Sequence, residues 1–246
     1  GLTVDGVSYT FPLGDKTTII TGIDTDGSAL FTTACVYGGP SNTLDDCGSV
    51  YAGITGGGAT IGAAYDFGTG FTAAFGAQTE EGSVFTEESN DSYAFNAAYT
   101  GDNYGVSLTF AEIEEVTAGA EDATIYALQG YYTPEAEGLP SISVGYETAS
   151  TAIAAFSSSD TDSSSWFLGL SWDEVGPGSA GVAVGTKQHT LDYEGELYDE
   201  MLMYEAYYSY DINDGMSVTP LIFIKDNAVS GTDDETGVMV KTSFSF

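Results

Sequence analysis

The chain has 246 residues, and its 37 acidic residues stand against four lysines and no arginine, for a net charge of −33. So few cations cannot displace counterions from a phosphate backbone, which excludes nucleic acid as a partner. Seventeen tyrosines and 13 phenylalanines exclude an acidic disordered chain, and no run reaches the ~18 apolar residues of a membrane-crossing helix.

A period of two runs along almost the whole chain, the mark of strands with one apolar face. Val7, Tyr9 and Phe11 begin it, followed by Ile61, Ala63, Tyr65 and Phe67, then Phe71, Ala73 and Phe75. Tyr93, Phe95, Ala97 and Tyr99 come next, then Tyr104, Val106, Leu108 and Phe110. Ile142, Val144 and Tyr146 precede Trp166, Leu168, Leu170 and Trp172. The last third repeats the pattern at Leu202, Tyr204, Ala206, Tyr208 and Tyr210, at Val218, Pro220, Ile222 and Ile224, and at Val238, Val240, Thr242, Phe244 and Phe246. The residues between these are mostly Gly, Ala, Ser and Thr. A soluble sandwich hides its apolar face in a core and shows charge on the other. A small, polar second face suits a barrel interior, with the apolar face turned to lipid and the aromatics in girdles.

Short and long connections alternate. The short ones fall at Gly14-Asp15, Gly68–Gly70, Thr100–Asn103, Glu135–Gly138, Glu174–Gly178 and Asn213–Gly215; the long ones cover 24–58, 79–91, 111–122, 149–164, 191–200 and 226–235. The long set holds 25 of the 37 carboxylates, so charge gathers on one rim. This sorting is a membrane-barrel habit that a sandwich has no reason to follow. The fold expected is all-β, an antiparallel transmembrane β-barrel with about 13 readable strands of a 14–16-stranded porin-like barrel. An odd count implies at least one further strand, upstream of Gly1, from another chain or from an unreadable segment. Residues 28–33 are either an additional strand or part of a loop folded into the lumen.

Cys35 and Cys47 are the only cysteines. They read as a disulfide closing a loop of about a dozen residues, worth ~3 kcal/mol in the chain-entropy model, and point to an oxidising compartment; two free buried thiols are the alternative. Charges predicted on the inner face are few: Lys187 and His189 on one strand, with Lys225, Lys241, Glu147 and Glu205. As pore-lining groups the lysines would bias ion passage; as plain wall residues they merely avoid lipid. Asp24 and Asp26 echo the start of a calcium loop but lack the downstream bidentate Glu, so Ca²⁺ or Mg²⁺ held diffusely by the acidic loops is the stronger expectation. Asp211–Gly215 reads as a tight turn. His189, the single histidine, has no evident Ser/Asp arrangement in sequence, and no cofactor or enzyme chemistry is expected.

The alternating stretch Val238–Phe246, ending in an aromatic, resembles the C-terminal signal of outer-membrane proteins. Together with GLTVDGVSYTFP at 1–12, the cysteine loop and TGGGATIGAAYDFGTGFTAAFG at 55–76, it resembles marine cyanobacterial outer-membrane porins of the carbohydrate-selective porin superfamily. The resemblance implies that residues 1–246 are the barrel portion of a protein in the cell outer membrane, without the peptidoglycan-binding domain of that family. It implies contact with outer-membrane lipid, homotrimeric assembly, and passive diffusion of small hydrophilic solutes or inorganic ions. The long 24–58 segment would then fold inward as a constriction, cap the barrel or contact a neighbouring subunit. The rival expectation is an acidic extracellular β-rich structural or adhesive protein that assembles by strand pairing.

Overall fold

The computed structural model describes residues 6–38, 44, 47–48, 50–55, 58–80, 91–114, 122–152, 160–193, 196–197, 199–227 and 233–245. None of these is helical. The strands are Val7–Leu13 (β1), Thr17–Ile23 (β2), Ala59–Asp66 (β3), Phe71–Thr79 (β4), Asp91–Thr100 (β5), Tyr104–Ile113 (β6), Ala123–Tyr132 (β7), Ser141–Ala152 (β8), Asp160–Val175 (β9), Gly178–Thr186 (β10), Thr190–Tyr193 (β11), Glu196–Leu197 (β12), Leu202–Asn213 (β13), Met216–Lys225 (β14) and Glu235–Phe244 (β15).

Each strand pairs antiparallel with the next, in the order β1 to β10, then β13, β14 and β15. The alternation expected from sequence sets the two faces, and burial is inside out. On β6, Val106 and Leu108 are 44% and 54% exposed, while Ser107 and Thr109 between them are 2% and 7% exposed. Phe95 of β5 is 50% exposed beside Asn96 at 4%. In water such a surface would cost about 25 cal/mol per Å² of apolar area, so a hydrocarbon solvent is what makes the arrangement favourable. Cross-strand aromatic pairs reinforce the outer face: Phe71 with Tyr99, Phe75 with Phe95 and Phe110 with Tyr126 have centroids 4.7, 5.0 and 5.3 Å apart. Such pairs add about 0.5–1.5 kcal/mol each beyond their area.

The short connections lie where the sequence placed them. Gly70 shows why one is glycine: its φ is +85°, and a Cβ there would sit 2.5 Å from the Thr100 carbonyl oxygen. At Asp211–Gly215 the strand bulges and turns, with the Gly215 N–H donating to Asn213 Oδ1 at 2.9 Å. All these turns lie at one end of the barrel, and the strand ends that lead into the long connections lie at the other. Most of the acidic long loops, at 81–90, 115–121, 153–159 and 228–232, lie outside the described residues, as do Gly1–Asp5 and Phe246.

Two features depart from expectation. β9 is 16 residues long, and its upper part pairs with β11 rather than β10. β11 and β12 form a small hairpin inside what reads in sequence as a loop at 191–200. The ladder ends at β1 and β15, which do not pair with each other among the described residues. Both are exposed along nearly their whole length. With 13 strands on the main path, the two run in the same direction. The rest of the sheet curls around the 24–58 segment, which meets β4 at Gly76 and β10 at Gly185.

Candidate functional site

The described residues of the 24–58 segment lie inside the barrel, and the small inner-face residues are what admit them. Its neck is closed by Asp24: its N–H donates to the Gly58 carbonyl at 2.9 Å, and its Oδ1 accepts from the Gly58 N–H at 2.9 Å. Asp24 is thus occupied as a clamp. Asp26 does not join it in a metal cluster, and no group of three or more His, Cys, Asp or Glu side chains is placed to hold a metal among the described residues. The segment then crosses β4 so closely that a Cβ on Gly76 would stand 1.9 Å from the Gly27 carbonyl oxygen. Ser28–Thr33 forms no strand; a turn is followed by an irregular extended run.

An extended run away from any sheet leaves its backbone N–H groups without partners, and burying them unpaired is costly. The wall supplies the acceptors one by one. Asn96 on β5 holds Thr32 at both ends, with Oδ1 accepting from its N–H at 3.0 Å and Nδ2 donating to its carbonyl at 3.2 Å. Ser107 Oγ on β6 accepts from the Ala34 N–H at 3.0 Å. Ser143 Oγ on β8 accepts from both Val36 and Tyr37 at 3.1 Å. At the far wall the Tyr37 hydroxyl donates to Glu205 Oε1 at 2.7 Å, and its ring packs on Phe167 and Tyr207. Leu44 and Cys47 fill the same cluster with Phe167, Ala183 and Met203. The Cys35–Cys47 disulfide is formed and ties the outgoing limb to the returning one.

The returning limb is held by charge. Glu147 on β8 is 3% exposed, and its two oxygens accept from the Tyr51 and Ala52 N–H groups. His189, 4% exposed, places Nε2 2.8 Å from Glu147 Oε1 and Nδ1 3.0 Å from Ser163 Oγ. The imidazole also stacks on the Tyr51 ring, centroids 3.8 Å apart and 10° between planes. A carboxylate on Nε2 favours the Nε2–H tautomer, which leaves Nδ1 to accept from Ser163. His189 therefore does sit between a serine and a carboxylate, contrary to the sequence reading. The chain of groups ends on two loop amides, so the arrangement works as a latch for residues 51–52.

The remaining inner-face charges do not form one strip. Lys187 and His189, expected on a single strand, occupy the break between β10 and β11. The break arises because the chain leaves β10 at Thr186 and resumes against β9. Lys187 Nζ donates to the Asp226 carbonyl at 3.3 Å. Lys225 ends β14 opposite Glu235, its Nζ 4.7 Å from the Phe223 ring centroid. Lys241 on β15 faces Thr219 of β14, six residues from the Lys225 level and so roughly 20 Å nearer the short turns. Glu147 and Glu205 stand on different strands, and each is engaged with the loop. The wall acceptors Asn96, Ser107 and Ser143, and the Ser163 that donates to His189, were missed in sequence. Their only signal was being polar on the inner face, which they share with many neighbours.

This arrangement of strands has counterparts among solved structures. A porin refined at 1.8 Å resolution aligns over 95% of this chain and 79% of its own, with 23% identity and a TM-score of 0.66. The anion-selective porin from Comamonas acidovorans aligns over 98% and 88%, with 15% identity and a TM-score of 0.67. The fold is that of a porin barrel. OmpT, an outer membrane protein of Vibrio cholerae, aligns over 90% and 78%, with 10% identity and a TM-score of 0.62. No protein-family model and no curated protein matches the sequence.

Proposed function

We propose that the chain forms a water-filled channel in the cell outer membrane, through which small hydrophilic solutes or inorganic ions diffuse passively. The observation that carries this reading is the inverted wall with a strapped segment inside it. Apolar residues face outward, hydrogen-bonding residues face inward, and the 24–58 segment narrows the enclosed space. Transport of this kind needs no cofactor and no energy source. Conductance of the purified chain in planar bilayers tests the reading. Discrete steps with a measurable reversal potential are expected, and a protein that never conducts when folded and inserted would overturn it.

The finer parts of the reading are membership of the carbohydrate-selective porins of marine cyanobacteria, assembly as a trimer, and diffuse Ca²⁺ or Mg²⁺ on the acidic loops. The same reading seats an odd number of further strands between β1 and β15, since two strands running in the same direction need one between them for an antiparallel seam. It gives the Ser163–His189–Glu147 chain no catalytic role; a fluorophosphonate probe should leave Ser163 unlabelled. An acidic structural protein would hide its aromatics in water and stay monodisperse without detergent. The exposed aromatics of β5 and β6 argue for the opposite behaviour.

A further inference from the structure

One cavity inside the barrel differs in chemistry from everything around it. It has a volume of about 580 Å³ and lies between the returning limb of the 24–58 segment and the wall at β5 to β9 and β11. Its floor is apolar: Ile54 of the segment, Ile113 of β6, Ile125 of β7 and Leu191 of β11. Its edge carries hydrogen-bonding groups, among them Ser163, Gln188 and His189. In a chain with 37 acidic residues, none of the described residues lining it is Asp, Glu, Lys or Arg. Glu147 beside it is buried and saturated by the Tyr51 and Ala52 amides and by His189, whose ring lies flat on Tyr51, while Asp199, Glu200, Asp226 and Asp234 line a separate neighbouring cavity. The inner wall here is apolar, since Ala94, Ala111, Ile125, Ala127 and Ala149 pack into one buried cluster above Asn96, Thr109, Gln129 and Ser143.

We propose that this cavity is a binding station for small uncharged amphipathic molecules, with a ring-sized apolar part and a carbonyl or hydroxyl edge. The inference rests on the reading of the barrel interior as a solute path. The volume is that of an ordinary small-molecule pocket, and an apolar floor with a few convergent polar groups is the usual composition of one. An ion entering it would lose hydration against isoleucine with no charged Asp, Glu, Lys or Arg side chain lining the cavity to replace it. A neutral solute loses only its apolar hydration and keeps a hydrogen-bond partner at Ser163 or Gln188.

Three probes of one shape and different charge test this: benzamide, benzoate and benzamidinium. Binding is read on the folded full chain in detergent by saturation-transfer NMR, and block of single-channel current is read in planar bilayers. Benzamide should bind and lower the unit current, with both ions at least about tenfold weaker. Ile113→Gln, which polarises the floor, and Ala123→Phe, which fills the cavity, should each weaken benzamide at least about tenfold. If one variant fails to fold, the other decides. Equal binding of the three probes, tightest binding of benzamidinium, or unchanged benzamide binding in the variants would overturn the proposal. A wild-type chain that binds benzamide in this pattern without conducting would overturn the channel reading and leave the station standing.

Discussion

Glu147 holds the returning limb against the wall. Three donors converge on it, from two loop amides and His189. Glu147→Gln keeps the shape but turns one acceptor into a donor facing an N–H. It should loosen residues 51–52 by about 1–3 kcal/mol, the cost of leaving buried donors unmet. Faster amide hydrogen exchange at Tyr51 and Ala52, with added open-channel noise and an intact barrel, is the expected outcome. The lysines predict a second effect. Replacing Lys187, Lys225 and Lys241 with Gln removes positive charge from the inner side and should move the reversal potential toward cations. Because Lys241 lies apart from the other two, Lys241→Gln alone should account for a separable part of that movement, measured under a salt gradient. His189 and Glu147 were both legible as inner-face residues. Their meeting was not, because residues on β8 and just before β11 are 42 positions apart and only the β9 register brings them together.

At the scale of elements, the strands and turns were the most legible part of the molecule. An apolar residue at every second position, interrupted by Gly-rich turns, leaves little choice of register or face. The loop was less legible, since an irregular segment has no period to read. Its length and its cysteines marked it as a unit, and only the wall sockets reveal that it lies inside. The disulfide acts on that unit. Replacing Cys35 and Cys47 with Ser should remove about 3 kcal/mol of loop restraint and leave the strand ladder intact. Proteolysis within the 24–58 segment should accelerate, while the β-sheet circular dichroism and the heat-modifiable gel migration remain unchanged.

For the whole molecule, the deciding quantity is the solvent on the outer face. Leu108 is 54% exposed on the outer face of β6, well away from either end of the strand. Leu108→Lys should therefore destabilise the membrane-inserted barrel by roughly 2–4 kcal/mol, measured by reversible unfolding from lipid vesicles. The same substitution on a protein living in water would be neutral or favourable, so its sign separates the two readings.

Sequence alone determined the fold class, the main run of antiparallel strands and which face of those strands is greasy, because period-two alternation is a local property written residue by residue. It also determined the segregation of acidic charge to the long connections. Tertiary structure alone decided that the longest connection lies within the barrel, that Glu147 and Glu205 serve as its anchors, and that an uncharged cavity lies beside it. Those outcomes depend on which distant residues share a space once the sheet has curled, and no local pattern encodes that.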